Sequence, residues 1–286
     1  MDLRSLAWNE RLLEKFSIPK KSLPEIKPSS GDFGRTKGLD FLPDGIPISG
    51  ILGDQQAALF GQLCFSTGDA KCTYGTGSFL MCNTGEKIVF SKHKLLTTVA
   101  WQMNGKISYA LEGSAFVAGA AVQFLRDNLG IIQSSSEIEP LANAAKEEEM
   151  GDLIFVPSLT GLGAPYWEAE ATGMIYGLTR GTQRRHIARA TLEGIALQND
   201  ALFTALAEDI KPATLSRIKV DGGASANNFL MQLQADLAGI AVDRPEILDT
   251  TALGSALAAG LAAGAWRNAD ELRSTWKRDR TFDPSM

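Results

Sequence analysis

Asp54 stands where an apolar stretch, Ile48-Ser49-Gly50-Ile51-Leu52-Gly53, gives way to Gln55, Gln56 and a helical run over Ala57–Leu63. A carboxylate at such a junction can cap the helix by accepting a free amide of the first turn. Exposed at the end of a strand, it can instead serve as a general base that takes the proton of a neutral hydroxyl. Thr73-Tyr74-Gly75-Thr76-Gly77-Ser78-Phe79 joins two strand-like runs through Gly-Thr-Gly. That is a hairpin turn, or a phosphate cradle in which glycines expose backbone amides and the Thr hydroxyl adds a donor. Val220-Asp221-Gly222-Gly223-Ala224-Ser225-Ala226-Asn227-Asn228 runs from a strand through two glycines into a helix carrying Leu230, Leu233 and Leu237. Nucleotide sites use this junction, and so do plain α/β connections.

A fourth segment, Thr160-Gly161-Leu162-Gly163-Ala164-Pro165-Tyr166-Trp167, reads as a packed surface loop with an aromatic pair. None of the four has the glycine spacing of a Walker loop or a dinucleotide fingerprint. Glu147-Glu148-Glu149 reads as a solvated patch. Gly260-Leu261-Ala262-Ala263-Gly264 reads as a small-residue stretch that lets a helix approach a sheet, and His93 has no Ser or Cys partner in view.

The elements that must position these residues follow an α/β alternation from Ile46 onward. Strands are expected over Ala70–Tyr74, Phe79–Cys82, Leu95–Trp101, Ile107–Ala110, Leu153–Val156 and Arg217–Asp221. His186–Glu208 gathers Ala188, Leu192, Ile195, Leu202 and Leu206 on one helical arc. Phe116–Leu125 is apolar except for Gln123, which predicts a buried helix. The first fifty residues hold five of the eleven prolines and, beyond a short helix over Leu6–Phe16, lack the periodicity of a core.

The 286 residues, 44% hydrophobic and 21% charged, describe a folded globular chain. A net charge of −5 offers no attraction to nucleic acid or acidic lipid, so neither partner is expected. The longest apolar run, Ala252–Trp266, is broken by glycines and shorter than the ~20 residues of a membrane span. The start, Met1–Phe16, lacks the pattern of a signal peptide. Cys64, Cys72 and Cys82 lack metal-ligand pairing and, with His93 and His186 the only histidines, no metal site is expected and a reducing cytoplasm fits.

Taken together, the segments resemble the carboxy-terminal half of the FGGY carbohydrate kinases, specifically the members that phosphorylate glycerol. The resemblance rests on Gly53-Asp54-Gln55-Gln56-Ala57-Ala58, Thr73 to Gly77, Ala110-Leu111-Glu112-Gly113, Gly161 to Trp167 and the stretch from Gly173 through Gly177-Leu178-Thr179-Arg180-Gly181 to Glu193. It implies an α/β, ribonuclease-H-like fold of the actin and hexokinase type, a mixed sheet with helices on both faces. It also implies ATP-dependent phosphorylation of glycerol to glycerol 3-phosphate, with Mg²⁺ organised mainly by a first domain. Carried over residue by residue, it makes Asp54 the catalytic base, Gln55 a substrate hydrogen-bond partner and Phe79 an apolar wall. It assigns Gly75, Thr76 and Gly77 to the phosphates, Gly119 and Gln123 to the nucleotide pocket, and Gly223 with Asn227 to the adenosine side.

Members of that family carry a first domain with a phosphate-binding Asp-Gly-Thr loop and an Arg-Glu pair that grips the polyol. The expectation is that residues 1–53 are a connector and the remnant of that domain, that 54–286 form the nucleotide-binding domain, and that these residues alone are inactive. Lys37-Gly38-Leu39-Asp40-Phe41 replaces the loop through which some members bind an inhibitory sugar bisphosphate, so that regulation is not expected. Two alternatives stay open: a family member acting on a sugar such as xylulose, and a non-catalytic nucleotide-binding module. Assembly into a homo-oligomer also stays open.

Overall fold

The alternation after residue 53 folds into one mixed sheet with helices on both faces. The computed structural model describes residues 1–285. In chain order the elements are α1 (Glu10–Lys15), α2 (Asp54–Gly61), β1 (Ala70–Tyr74), β2 (Ser78–Gly85), β3 (Leu96–Met103), β4 (Lys106–Ala115), α3 (Gly119–Asp127) and α4 (Ile138–Ala144). They continue with β5 (Ile154–Val156), β6 (Met174–Tyr176), α5 (Arg184–Asp209), β7 (Arg217–Asp221), α6 (Asn228–Ala238), β8 (Ala241–Pro245), α7 (Thr250–Ala262) and β9 (Arg278–Phe282). The main sheet has seven strands in the order β3-β4-β2-β1-β7-β8-β9, and β5 pairs with β6 apart from it. β1, β7 and β8 run parallel while the flanking pairs are antiparallel. All six strands expected from the sequence form, with ends moved by up to five residues, the most at β4, which runs on to Ala115.

Strand alternation sends successive side chains to opposite faces, and each face has its own core. On one, Leu80, Leu111, Val220 and Val242 meet Leu192, Ile195 and Leu202 of α5 and Met231 of α6. On the other, Met81, Ala100, Trp101 and Ala110 meet Leu59 and Phe60 of α2 and Leu257 and Ala258 of α7. The expected apolar arc of α5 is buried along its length.

Two expectations change. The helix expected over Phe116–Leu125 starts only at Gly119, and it is not buried all round: Phe116 and Gln123 are exposed. Thr76 O accepts from Ala118 N (2.8 Å) and Gly75 O from Gly119 N (2.9 Å), so the start of α3 is set by the Gly-Thr-Gly turn. The close helix approach lies not at Gly260, whose added Cβ would meet the Trp266 ring, but between α7 and α2. There a Cβ on Gly254 would lie 1.8 Å from Ala57 O, and one on Gly61 2.1 Å from Thr250 O. Beside the His93 ring stands a carboxylate rather than a Ser or Cys, with Nδ1 2.8 Å from Asp209 Oδ1. Ser91 Oγ and Lys92 N donate to the same carboxylate, which clamps the loop onto the end of α5. Glu147, Glu148 and Glu149 are all exposed, as a solvated patch would be, and Glu149 pairs with Arg185 at 3.2 Å.

The α2–α7 contact holds the helix that carries Asp54. Gly254→Ala is therefore expected to lower the unfolding free energy, measured by urea titration, by at least the ~1–3 kcal/mol of an overpacked core. Gly31→Ala, which meets nothing within 4 Å, should stay within about 0.5 kcal/mol.

Residues 1–50 lie along this body with little burial, and α1 has no buried residue. They are tied by backbone and single side-chain bonds, such as Tyr109 Oη to Leu3 O (2.9 Å) and Ser29 N to Gln102 O (2.8 Å). No described helix is long and apolar enough to cross a membrane.

Candidate functional site

The β1–β2 hairpin divides the site. Tyr74 pairs with Ser78 across the turn, and Gly75 N donates to Gly77 O (2.9 Å). The hairpin expectation is therefore met, and its tip is tied to α3 as described above. Gly119 permits this, because a Cβ there would sit 2.7 Å from Gly75 O. Gly77 is pressed against β4, where a Cβ would lie 2.6 Å from Ala115 O, so its lack of a side chain serves strand packing. Thr76, between them, is exposed.

On the α5–α6 face, a cavity of about 520 Å³ opens beside the turn. It brings together Gly75, Thr76, Gly119, Gln123, Gly223 and Asn227, six of the seven residues expected at the nucleotide; Gly77 does not line it. Asn227 caps α6, its Oδ1 accepting from Leu230 N (2.9 Å), which leaves its Nδ2 as the free donor on that wall. Gly222, at φ +83°, takes the bend after β7, and a Cβ on it would strike Tyr74 O at 2.7 Å. Gly223 faces open space. Sequence reasoning missed Ser135, Ser136 and Glu139, which close the cavity from the segment leading into α4. Glu139 Oε1 accepts from Asn228 N (3.1 Å) and ties that segment to the start of α6.

On the opposite face lies the second half. Thr73 pairs with Phe79, and both share the side of Lys71, facing α2. Asp54 is not the cap of α2: Gly53 holds that position and Asp54 is the first helical residue. Its Oδ1 accepts from Gln55 N (2.8 Å) and the carboxylate is exposed. Gln55 accepts from Lys71 Nζ through its Oε1. Across the sheet, Lys71, Met81 and Glu112 occupy one row. Burial pushes the Glu112 carboxyl above its ordinary range and the charge of Asp54 adds to this, while Lys71 acts the other way. Glu112, quoted from the sequence only as part of a motif, was given no role on this face.

A divided site of this kind suits transfer between two ligands that meet at the turn. The model of the FGGY family of carbohydrate kinases, C-terminal domain, matches residues 70–263. The chain belongs to the FGGY family. The family's N-terminal domain model matches residues 1–61. Among curated relatives, the glycerol kinase of Bdellovibrio bacteriovorus is 56% identical over all of this chain, which covers 57% of that protein. The glycerol kinase of Alkaliphilus metalliredigens is 54% identical, again over all of this chain and 56% of its own length. The chain thus spans a little over half the length of these FGGY relatives. The solved Plasmodium falciparum glycerol kinase with ADP superposes with a TM-score of 0.88 at 39% identity, covering 100% of this chain and 57% of that one. A xylulose kinase from Lactobacillus acidophilus matches with a TM-score of 0.80 at 21% identity, covering 99% and 57%, which carries the FGGY fold alone.

Proposed function

We propose that the chain is the base-bearing and nucleotide-binding part of an ATP-dependent kinase that converts glycerol to glycerol 3-phosphate. The observation that carries this reading is the turn at Gly75–Gly77, with an exposed carboxylate on one side of its hairpin and a nucleotide-sized cavity on the other. Glycerol is preferred over a sugar because the relatives named above at 54–56% identity are glycerol kinases. In this reading residues 1–53 belong to a first domain and 54–286 form the nucleotide-binding one. Three free, buried cysteines accord with a reducing cytoplasm.

The free oxygen of Asp54 orients the terminal hydroxyl and accepts its proton as the oxygen attacks. Gln55 bonds a second hydroxyl, and Phe79 covers the carbon chain. Thr76 and the backbone of the turn hold the phosphates, Gly119 and Gln123 border the nucleotide, and Gly223 leaves room for adenosine beside the Asn227 amide. Bound ATP supplies the phosphoryl group. An accompanying Mg²⁺ would, as the family resemblance implies, be organised mainly by the first domain.

Calorimetry with ADP tests the reading: weak but measurable binding is expected, and none at millimolar ADP by folded protein would refute the cavity's assignment. Asn227→Ser retains a cap acceptor while deleting the amide donor. It should weaken ADP by about 3- to 10-fold, the worth of one neutral hydrogen bond, with melting temperature nearly unchanged. Asn227→Ala should lose both affinity and the cap.

A further inference from the structure

Lys71 is a wholly buried cation that the proposed chemistry leaves unused. A lysine is seldom buried completely, because removing its charge from water is costly unless donors and counter-charges are arranged around it. Desolvation holds its pKa below the ordinary lysine value, opposed chiefly by the negative charge of Asp221 and, more weakly, of Glu112. Its hydrogen-bond partners are specific: Gln55 Oε1, Thr73 Oγ1 (2.8 Å) and Phe79 O (3.2 Å). One ammonium therefore touches both residues assigned to the acceptor substrate, from beneath.

Chemistry fixes the orientation at Gln55. An ammonium has donors and no acceptor, so the amide atom that meets it must be the carbonyl oxygen, whichever way round a side-chain amide is assigned. The NH₂ end must then point elsewhere. We infer that Lys71 is a positioning residue that fixes Gln55 as a hydrogen-bond donor toward the acceptor substrate, so that one hydroxyl oxygen of a polyol is received by Gln55 Nε2 while Asp54 takes the proton of its neighbour. The inference rests on the assignment of Asp54 and Gln55 to the acceptor side. It gives the site a preference for vicinal diols: one oxygen accepts from Gln55 and the adjacent hydroxyl donates to Asp54. Without Lys71 the amide can flip, and a carbonyl facing the diol would compete with Asp54 for the same proton.

The test labels glutamine selectively with ¹⁵N in the chain itself and assigns the Gln55 side-chain amide by its loss in Gln55→Leu. In the parent, and in Lys71→Gln, which keeps an uncharged donor, that amide should be ordered. In Lys71→Met it should shift toward free glutamine and become mobile; the protein should also melt lower, because Thr73, Phe79 O and Asp221 lose a buried partner, so the amide is read well below the variant's own melting temperature. An unchanged Gln55 amide in Lys71→Met, or Lys71→Gln behaving like Lys71→Met, overturns the inference. If neither Lys71 variant folds, the ¹⁵N-lysine spectrum decides: the protected Lys71 ammonium signal of the parent must move in Gln55→Leu, and a signal that stays put overturns it.

A kinetic arm uses the chain joined to the residues by which its relatives are longer. Lys71→Met should raise the glycerol KM about tenfold, roughly one hydrogen bond, with kcat changed far less, and Lys71→Gln should restore most of it. Lost Gln55 order with an unchanged KM overturns the inference at its substrate end. A joined parent with no glycerol-dependent turnover would instead refute the functional reading, leaving the amide spectra to decide the orientation.

Discussion

Asp54→Asn, in the chain joined to the rest of its relatives' length, is expected to lower kcat for glycerol phosphorylation by ~10² to 10⁴, the usual worth of a positioned general base. The glycerol KM should move much less, because the amide has nearly the same shape and still hydrogen-bonds the hydroxyl. What it loses is basicity, which matters only as the proton leaves. Asp54 Oδ1 is engaged by Gln55 N (2.8 Å), and an amide oxygen can keep that contact, so the start of α2 should survive the change. Melting temperature is the control: Asp54 begins the helix without capping it, and its replacement should cost little stability. Turnover within about threefold of the parent would remove Asp54 from the role of base, being far below that contribution.

Glu112 sharpens this expectation. It lies on β4, and burial together with the charge of Asp54 makes it reluctant to ionise. Removing the Asp54 charge should therefore let Glu112 ionise more readily, and the site keeps a carboxylate after the substitution. A residual rate in Asp54→Asn that grows with pH and disappears in Asp54→Asn/Glu112→Gln would assign the remaining proton transfer to Glu112.

What the sequence disclosed depended on whether a signal was local. β1 and β7 were legible to the residue because their apolar residues face a helix-covered sheet. β9 was not: Arg278, Asp279 and Arg280 give it a charged, edge-strand composition, and only Phe282 is buried. β6 is three residues long and exposes Met174 and Tyr176. The residues that line the cavity beside the turn were largely visible because glycine turns and an Asn before a helix carry their own backbone chemistry. Serine and glutamate on the far wall carry none, and Ser135, Ser136 and Glu139 were missed. Lys71 was hidden for another reason. A lysine in a short strand reads as an outward residue, and nothing local reveals that Gln55, in a different element, lies over it. The row Lys71–Met81–Glu112 likewise exists only after β1, β2 and β4 have paired.

The 286 residues by themselves are expected to give no measurable glycerol 3-phosphate, although they hold the proposed base and one wall of the nucleotide site. Phosphoryl transfer depends chiefly on aligning the two oxygens and neutralising the charge between them. Here Asp54 is exposed on one face of the hairpin and the cavity opens on the other. The family resemblance assigns the polyol clamp and the magnesium-organising loop to the first domain. Losing one charge-stabilising partner commonly costs ~10² to 10³ in rate, and loss of positional clamping multiplies that. An open site also admits water to the phosphate, so any slow turnover should release ADP without glycerol 3-phosphate. An assay that scores both products separately, on protein purified from a host lacking its own glycerol kinase, distinguishes these outcomes. Glycerol 3-phosphate that scales with this chain and vanishes in Asp54→Asn would mean that Asp54, Gln55 and the Gly75–Gly77 turn suffice to align donor and acceptor, and the division of labour between two domains would have to be abandoned.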